Sequence, residues 1–429
     1  MSTFENLAKY NFWDGTFADL GYIRKEYLNR LSDALGNNLI KIITGQRRVG
    51  KSFVVRQFIK RLIDSGTKPQ NIFYLPLEAI EFSDVKTFKD LDEIFSIYKS
   101  KLKPQGKIFI FIDEIQFVQG WEKAVSSWLQ DFTMEKEIFI TGSNSKLLSS
   151  ELATLLSGRY LTIEILPFNY TEFCDFIQRT ASRDSFVEYL SKTGMPEALS
   201  IQKPHIVKNY FSNLLDTIIL RDILQRYNVK DISLLRDLFL FYLRSISNPI
   251  SFTSIVKYYK SKGYKTFYDK IATYTGYLEQ TFIIQQVLRY ELKAKSMLAA
   301  VRKIYLNDLG FVNFLLGFNP QNLNYYLENY VANILRHFGY NIYTGRINSS
   351  EIDFLAFKQD KTLALQVSWS ITDANTYQRE VSPLQKNIQS AKKIIVHTDQ
   401  FDYSDPDIIF IKAWQVEEKL SQLDKLLFE

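Results

Sequence analysis

An α/β fold built on a parallel sheet, with further domains behind it, is predicted by three observations. Leu39–Ile43 and Ile108–Ile112 are apolar runs that break abruptly into polar residues, as strands buried on both faces of a parallel sheet do. After the first run the period changes: Phe53, Val54, Phe58, Ile59, Leu62 and Ile63 fall on one helical face, and Gly66 is the stop. The chain has 429 residues, more than the roughly 250 to 300 that one hydrophobic core holds, so two to four domains are expected. Further strands at Asn71–Leu77, Glu137–Ser145 and Thr162–Leu166 bring the sheet to five.

The composition is that of an ordinary globular chain, with 46% apolar and 23% charged residues, and it excludes long disorder and fibrous repeats. MSTFENLAKYNFWDG has neither a basic n-region nor an apolar h-region, and no run approaches the ~18 to 20 apolar residues that span a bilayer. A cytoplasmic protein with no membrane partner is expected. One cysteine, Cys174, excludes an intrachain disulfide and suits a reducing compartment.

Chemistry enters with TGQRRVGKSFVV, Thr44–Val55. Gly45, four residues, then Gly50, Lys51 and Ser52 match the phosphate-loop pattern G-x-x-x-x-G-K-[ST], here placed between a strand and a helix. Glycines let successive amides approach phosphate oxygens, and the helix starting at Lys51 adds its positive end. Gly45, Gln46, Arg47, Arg48, Val49, Gly50, Lys51, Ser52 and Phe53 are the expected ATP-binding residues, with Lys51 on the β- and γ-phosphates and Ser52 on Mg²⁺. Arg47 and Arg48 face the nucleotide, a neighbouring subunit or solvent; the sequence leaves this open.

The second apolar run ends in Asp113 and Glu114, at the sheet edge where open α/β sheets bind ligands. This is a Walker B arrangement, in which Asp113 holds the metal through its water shell and Glu114 polarises the attacking water. A strand ending ITGSNS puts Ser143 and Asn144 at the same edge. Asn144 or Ser143 contacts the γ-phosphate or its water, or caps a helix beginning near Lys146.

IKIITGQRRVGKS, FIDEIQFVQGWE, ITGSNSKLLS, LSGRYLTIEILPF, TGMPEAL, LLDTIILRDI, KIYLNDLGF, ENYVANIL and EIDFLAF resemble, in order and over nearly the whole chain, prokaryotic AAA-superfamily ATPases near the STAND signalling ATPases. The resemblance implies a P-loop core of the ASCE type at 1–166, a helical lid at 167–228, a winged helix at 229–303 and a restriction-endonuclease-like domain at 304–429. It implies that Gly194 and Pro196 form a GxP element that touches the nucleotide. It also implies that Arg159 lies near the γ-phosphate, acting in its own subunit or in a neighbour's; a structural ion pair explains Arg159 nearly as well. Gln116 matches the family pattern without an evident chemical role.

Between Ile250 and Lys303 ten cations face three acids, an excess larger than the net +6 of the whole chain. Helix, helix and hairpin, with lysines among tyrosines, look like a winged-helix module. Lys257, Lys260, Lys262, Lys265 and Lys270 are the expected contacts to DNA phosphates; the alternatives are a solvated basic face, or a winged-helix shape used for contact with a protein partner or for self-association. In the last domain Glu328 and Asp353 match two positions of the nuclease metal site that the resemblance implies. Gln366 and Ser368 stand where its acid and lysine belong. An amide holds Mg²⁺ weakly and a serine is no cationic amine, so loss of nuclease chemistry is expected.

Overall fold

The computed structural model describes residues 2–17, 19–145, 156, 158–292, 296–347, 350–386, 388 and 391–428, without the side chains of 296–299 and 425–428. It divides into two compact units, Met1–Ile165 and Leu166–Glu429. Among the described residues no helix is long and apolar enough to cross a membrane.

The first unit is a five-stranded sheet in the order β2-β3-β4-β1-β5, with every neighbouring pair parallel. Its strands are β1 (Ile40–Thr44), β2 (Ile72–Pro76), β3 (Ile108–Asp113), β4 (Lys136–Gly142) and β5 (Tyr160–Glu164). Helices α1 (Thr3–Tyr10), α2 (Lys25–Asp33), α3 (Lys51–Asp64), α4 (Phe88–Leu102) and α5 (Trp121–Gln130) complete it. One face buries Ile40, Ile42, Phe73, Ile110, Ile112, Ile138 and Ile140 in a core with α4 and α5. On α3, Phe58 lies 5.5 Å from Phe139, which stacks on Phe111 at 4.6 Å.

All five expected strands are present, with ends within three residues of those expected. The predicted apolar face of α3 needs correction at its edges. Val54, Phe58, Ile59 and Leu62 are buried, but Phe53 is 41% exposed and Ile63 is only half-buried. The inward stripe of a helix covers little more than about 100°, and these two lie at its margin. Lys41 and Glu137 form a fully buried ion pair, with Lys107 3.4 Å from Glu137.

The second unit carries a seven-stranded mixed sheet in the order β12-β11-β10-β9-β8-β6-β7. The strands are β6 (Ile284–Glu291), β7 (Ser296–Leu306), β8 (Asn341–Ile347), β9 (Ser350–Lys358), β10 (Lys361–Val367), β11 (Ala391–His397) and β12 (Ile408–Lys412). Its helices are α6 (Tyr170–Ile177), α7 (Arg183–Ser191), α8 (Pro204–Thr217), α9 (Ile232–Arg244), α10 (Phe252–Ser261), α11 (Tyr268–Gln280), α12 (Leu323–His337), α13 (Ala374–Gln385) and α14 (Val416–Phe428). Helices α9 to α11 precede the β6–β7 hairpin, and a short bridge joins Ile250 to Arg302 of β7. The expected boundary at 303/304 falls inside β7, and β6 pairs in parallel with β8, so the hairpin belongs to the large sheet.

Candidate functional site

The loop between β1 and α3 is shaped by two glycines. Gly45 takes φ 145°, and a Cβ there would come within 2.2 Å of the Ile165 carbonyl oxygen, so no side chain fits. Gly50 takes φ 99° and opens α3 as its N-cap, with open space around it; Arg48, between them, also has positive φ at 70°. Gln46 is fully buried, Arg47 nearly so with its guanidinium 3.0 Å from Glu78 Oε1, and Arg48 is exposed.

Lys51 is buried at the loop's mouth. Its Nζ donates to the carbonyl oxygens of Gly45 (3.2 Å) and Gln46 (3.3 Å) and lies 3.1 Å from Glu114 Oε1. The topology brings the acids there: β3 is separated from β1 by β4 alone, and Asp113 is its last residue. Thr141 of β4 spans the gap, donating its hydroxyl to Asp113 and accepting the Glu114 N–H at 2.9 Å. Tyr74 of β2 donates to Asp113 Oδ2 at 3.1 Å, and the Ser52 hydroxyl hydrogen-bonds the same carboxylate. Ser143 and Asn144 are both buried at this edge; the helix start expected near Lys146 lies outside the described residues.

The two neighbouring acids are driven apart electrostatically. Burial, then the charge of Glu114, raises Asp113 above the usual carboxylate range, against hydrogen bonds from Ser52 and Thr141. Burial pushes Glu114 up too, but Lys51, the Gln116 amide and Arg47 outweigh it and hold the carboxylate low. Gln116, without a role from the sequence, donates its amide to Glu114 and reaches Ser143 Oγ at 3.4 Å. The oxygen donors of Ser52 and Asp113 suit a hard divalent cation, which takes one or two protein ligands and fills its shell with phosphate and water.

Sequence reasoning missed the support around the loop. Arg24 is buried with Nη1 3.5 Å from the Val49 carbonyl, and Gln57 of α3 ties the Arg24 N–H to the carbonyls of Leu20 and Tyr22. Phe53 closes over the same segment, 3.1 Å from where a Cβ on Gly21 would stand. Isolated polar residues with no motif spacing gave no signal for this.

For Arg159 the structure bears on one of the readings left open, action in its own subunit. Its carbonyl accepts from Ile40 N–H at the start of β1, and its side chain is exposed. The phosphate loop leaves the other end of β1, roughly 16 Å of strand away, so Arg159 is not beside the loop of its own chain.

Gly194 and Pro196 lie in the second unit, in a node with the KIYLNDLGF block. The Gly194 N–H (2.7 Å), the Thr193 hydroxyl (2.6 Å) and the Gly310 N–H (2.7 Å) all donate to the buried Asp308 carboxylate. A Cβ on Gly194 would meet the Phe168 carbonyl oxygen at 2.5 Å, and Pro196 opens a single helical turn. Burial raises Asp308 to about 6 despite the three donors.

The positions matched to a nuclease site do converge, around an unforeseen lysine. Lys303 of β7 is buried with its Nζ 2.9 Å from Glu328 Oε1, 3.0 Å from Glu351 Oε1 and 3.6 Å from Asp353 Oδ1. Tyr305 donates to Glu328 at 2.7 Å, and burial lifts Glu328 to about 7 although Lys303 pulls it down. Gln366 accepts the Asp353 N–H at 2.8 Å and donates to Glu380 at 3.1 Å, while the Ser368 hydroxyl turns to the Ser370 carbonyl. Among the described residues no group of three His, Cys, Asp or Glu side chains is arranged to hold a metal ion.

The basic segment is smaller than its composition suggested. Lys257, Lys260, Lys262 and Lys265 are exposed. Lys270 is not free: it pairs with Asp231 at 2.9 Å, a capping acid at the start of α9. Arg302 and Lys303, counted with the patch, are buried, and Lys293 and Lys295 lie outside the described residues.

The AAA domain family matches residues 37–174, and a domain of unknown function (DUF8612) matches residues 183–322. An "uncharacterized protein" of Haemophilus influenzae is 33% identical over 399 residues, covering 91% of this chain and 98% of that protein. Another, of Methanocaldococcus jannaschii, is 32% identical over 388 residues, covering 85% of this chain and 83% of its own. The Walker-type ATPase PABY2304 of Pyrococcus abyssi is similar at 16% identity and a TM-score of 0.41, over 69% of this chain and 96% of that one. The Aeropyrum pernix ORC1 protein, solved in complex with DNA, is similar at 13% identity and a TM-score of 0.31, over 69% and 93% of the two chains. Identity that extends over nearly all of the chain, together with the domain matched around its phosphate loop, places it in one family with the Haemophilus and Methanocaldococcus proteins, a family of AAA-domain proteins.

Proposed function

We propose that the protein is a Mg²⁺-dependent ATPase whose nucleotide state is passed through a helical lid to a basic winged-helix module and a nuclease-like C-terminal domain acting on or near DNA. The observation that carries the reading is the convergence at one sheet edge of the glycine loop, Lys51, Ser52, Asp113 and Glu114. Loop amides and Lys51 bind the phosphates, and Ser52 and Asp113 hold the cation. Mg²⁺ held by these two residues would supply positive charge to offset that of the phosphates. Glu114, kept ionised by Lys51 and Gln116, orients the water and takes its proton.

The test is a pair of variants. Lys51→Ala abolishes ATP binding by calorimetry. Glu114→Gln keeps binding and lowers turnover by about 100-fold or more; unchanged turnover would remove Glu114 from its role. A second reading, a slow ATP/ADP switch that regulates through DNA or a protein partner, is favoured by one feature. A carboxylate held low by Lys51 and Gln116 is a weak base, which suits slow hydrolysis. Turnover with and without DNA separates the two, since stimulation supports the coupled ATPase and near-zero turnover in both supports the switch.

The winged-helix reading is supported by α9 to α11 followed by the β6–β7 hairpin. An inactive nuclease-like domain is supported by the Lys303 ammonium, which stands among the carboxylates where a metal would be needed.

A further inference from the structure

Helices α10 and α11 pack on one another and bury Phe252, Ile255, Tyr259, Ile271, Tyr274 and Leu278. Three other aromatics of this pair are left outside: Phe267 is 58% exposed, Tyr268 47% and Tyr258 37%. They share residues 257–268 with Lys257, Lys260, Lys262 and Lys265, and no acid falls in that stretch; Asp269 follows it. None of these four lysines has an ion pair among the described residues. Two of the rings are held in place. Tyr268 packs edge-on to Phe252 at 5.5 Å, Phe252 carries the Arg302 guanidinium at 3.7 Å, and the Lys262 ammonium stands 4.5 Å above Tyr258.

Lysines alone account for contact with a phosphate backbone, which single strands and duplexes share. Exposed ring faces add affinity only where a base face is free to stack, and a duplex hides its base faces. Four uncompensated lysines also argue against a protein partner, because lysine is depleted where protein interfaces are dry. Helix α10 is about 15 Å long, enough for several nucleotides of an extended strand.

We propose that Phe267 and Tyr268 form a base-stacking platform that makes this surface select nucleic acid with unpaired bases over intact duplex. The proposal rests on the reading of α9 to α11 and the hairpin as a nucleic-acid-binding module. The test uses the full chain and fluorescence anisotropy, with a labelled mixed-sequence 30-nucleotide single strand and its duplex as probes. The wild type binds the single strand more tightly. Phe267→Ala with Tyr268→Ala weakens single-strand binding about tenfold or more and changes duplex binding less than about twofold. Phe267→Trp with Tyr268 intact keeps the preference, and Lys257→Gln, Lys260→Gln and Lys265→Gln together weaken both probes. Equal loss on both probes, or none on either while both still bind, overturns the stacking platform and leaves the nucleic-acid reading standing. Absence of binding to either probe overturns that reading as well. A change in self-association by sedimentation, with nucleic-acid affinity unaltered, assigns the rings to a protein contact and overturns the proposal.

Discussion

Glu114 adopts φ 59° and ψ 52°, a left-handed conformation that a side chain takes at a cost of about 1 kcal/mol or more. The Thr141 hydroxyl holds the Glu114 N–H in that turn while Lys51 and Gln116 hold the carboxylate, so backbone and side chain are fixed from different elements. The Gln116 amide is one of the groups that keep the Glu114 pKa low. Gln116→Leu therefore raises that pKa, and the acidic limb of the ATPase rate against pH moves to higher pH. An unshifted limb would separate Gln116 from the base. The placement of Lys51, Ser52, Asp113 and Glu114 at one sheet edge was legible in advance, because it depends on spacing within one loop or at one strand end. Thr141, Gln116 and Arg24 were not legible, because each acts on a residue that only folding brings close.

Strand β7 shows how far an element's environment departs from its composition. Lys303 reads in sequence as one of ten cations on a basic face, yet β7 is buried through Arg302, Lys303, Ile304, Tyr305 and Leu306, and no alternation announces which side chain turns inward. Removing its charge leaves Glu328, Glu351 and Asp353 facing one another. Lys303→Met is expected to destabilise the protein by about 3 to 5 kcal/mol near neutral pH. The sign with pH follows from Glu328, whose folded pKa of about 7 lies above the ordinary 4.5. A raised folded pKa means that the folded state keeps its proton longer, so this group's contribution to stability falls as pH rises through that window. Loss of Lys303 raises Glu328 further, and the deficit of the variant is smaller at pH 5 than at pH 8 in urea denaturation. A pH-independent deficit would count against the coupling.

Over the whole molecule, the charge that reaches solvent in the basic segment is what matters for a polyanionic partner. Neutralising Lys257, Lys260 and Lys265 should flatten the dependence of log affinity on log salt by about 0.7 to 0.9 per lysine, roughly two to three in all; an unchanged slope would mean that these lysines do not meet phosphates. Lys270 should contribute little to that slope, because Asp231 already balances it. The sequence by itself determined the five strands of the first unit, the phosphate loop and the paired acids, since buried parallel strands and a glycine turn impose their pattern on contiguous residues. Only the tertiary structure decided that Arg159 sits at the far edge of the sheet, that the β6–β7 hairpin joins the C-terminal sheet, and that Lys303 fills the carboxylate cluster. Those outcomes depend on strand order and on pairing between distant segments, where burial and charge are set by neighbours that local pattern does not name.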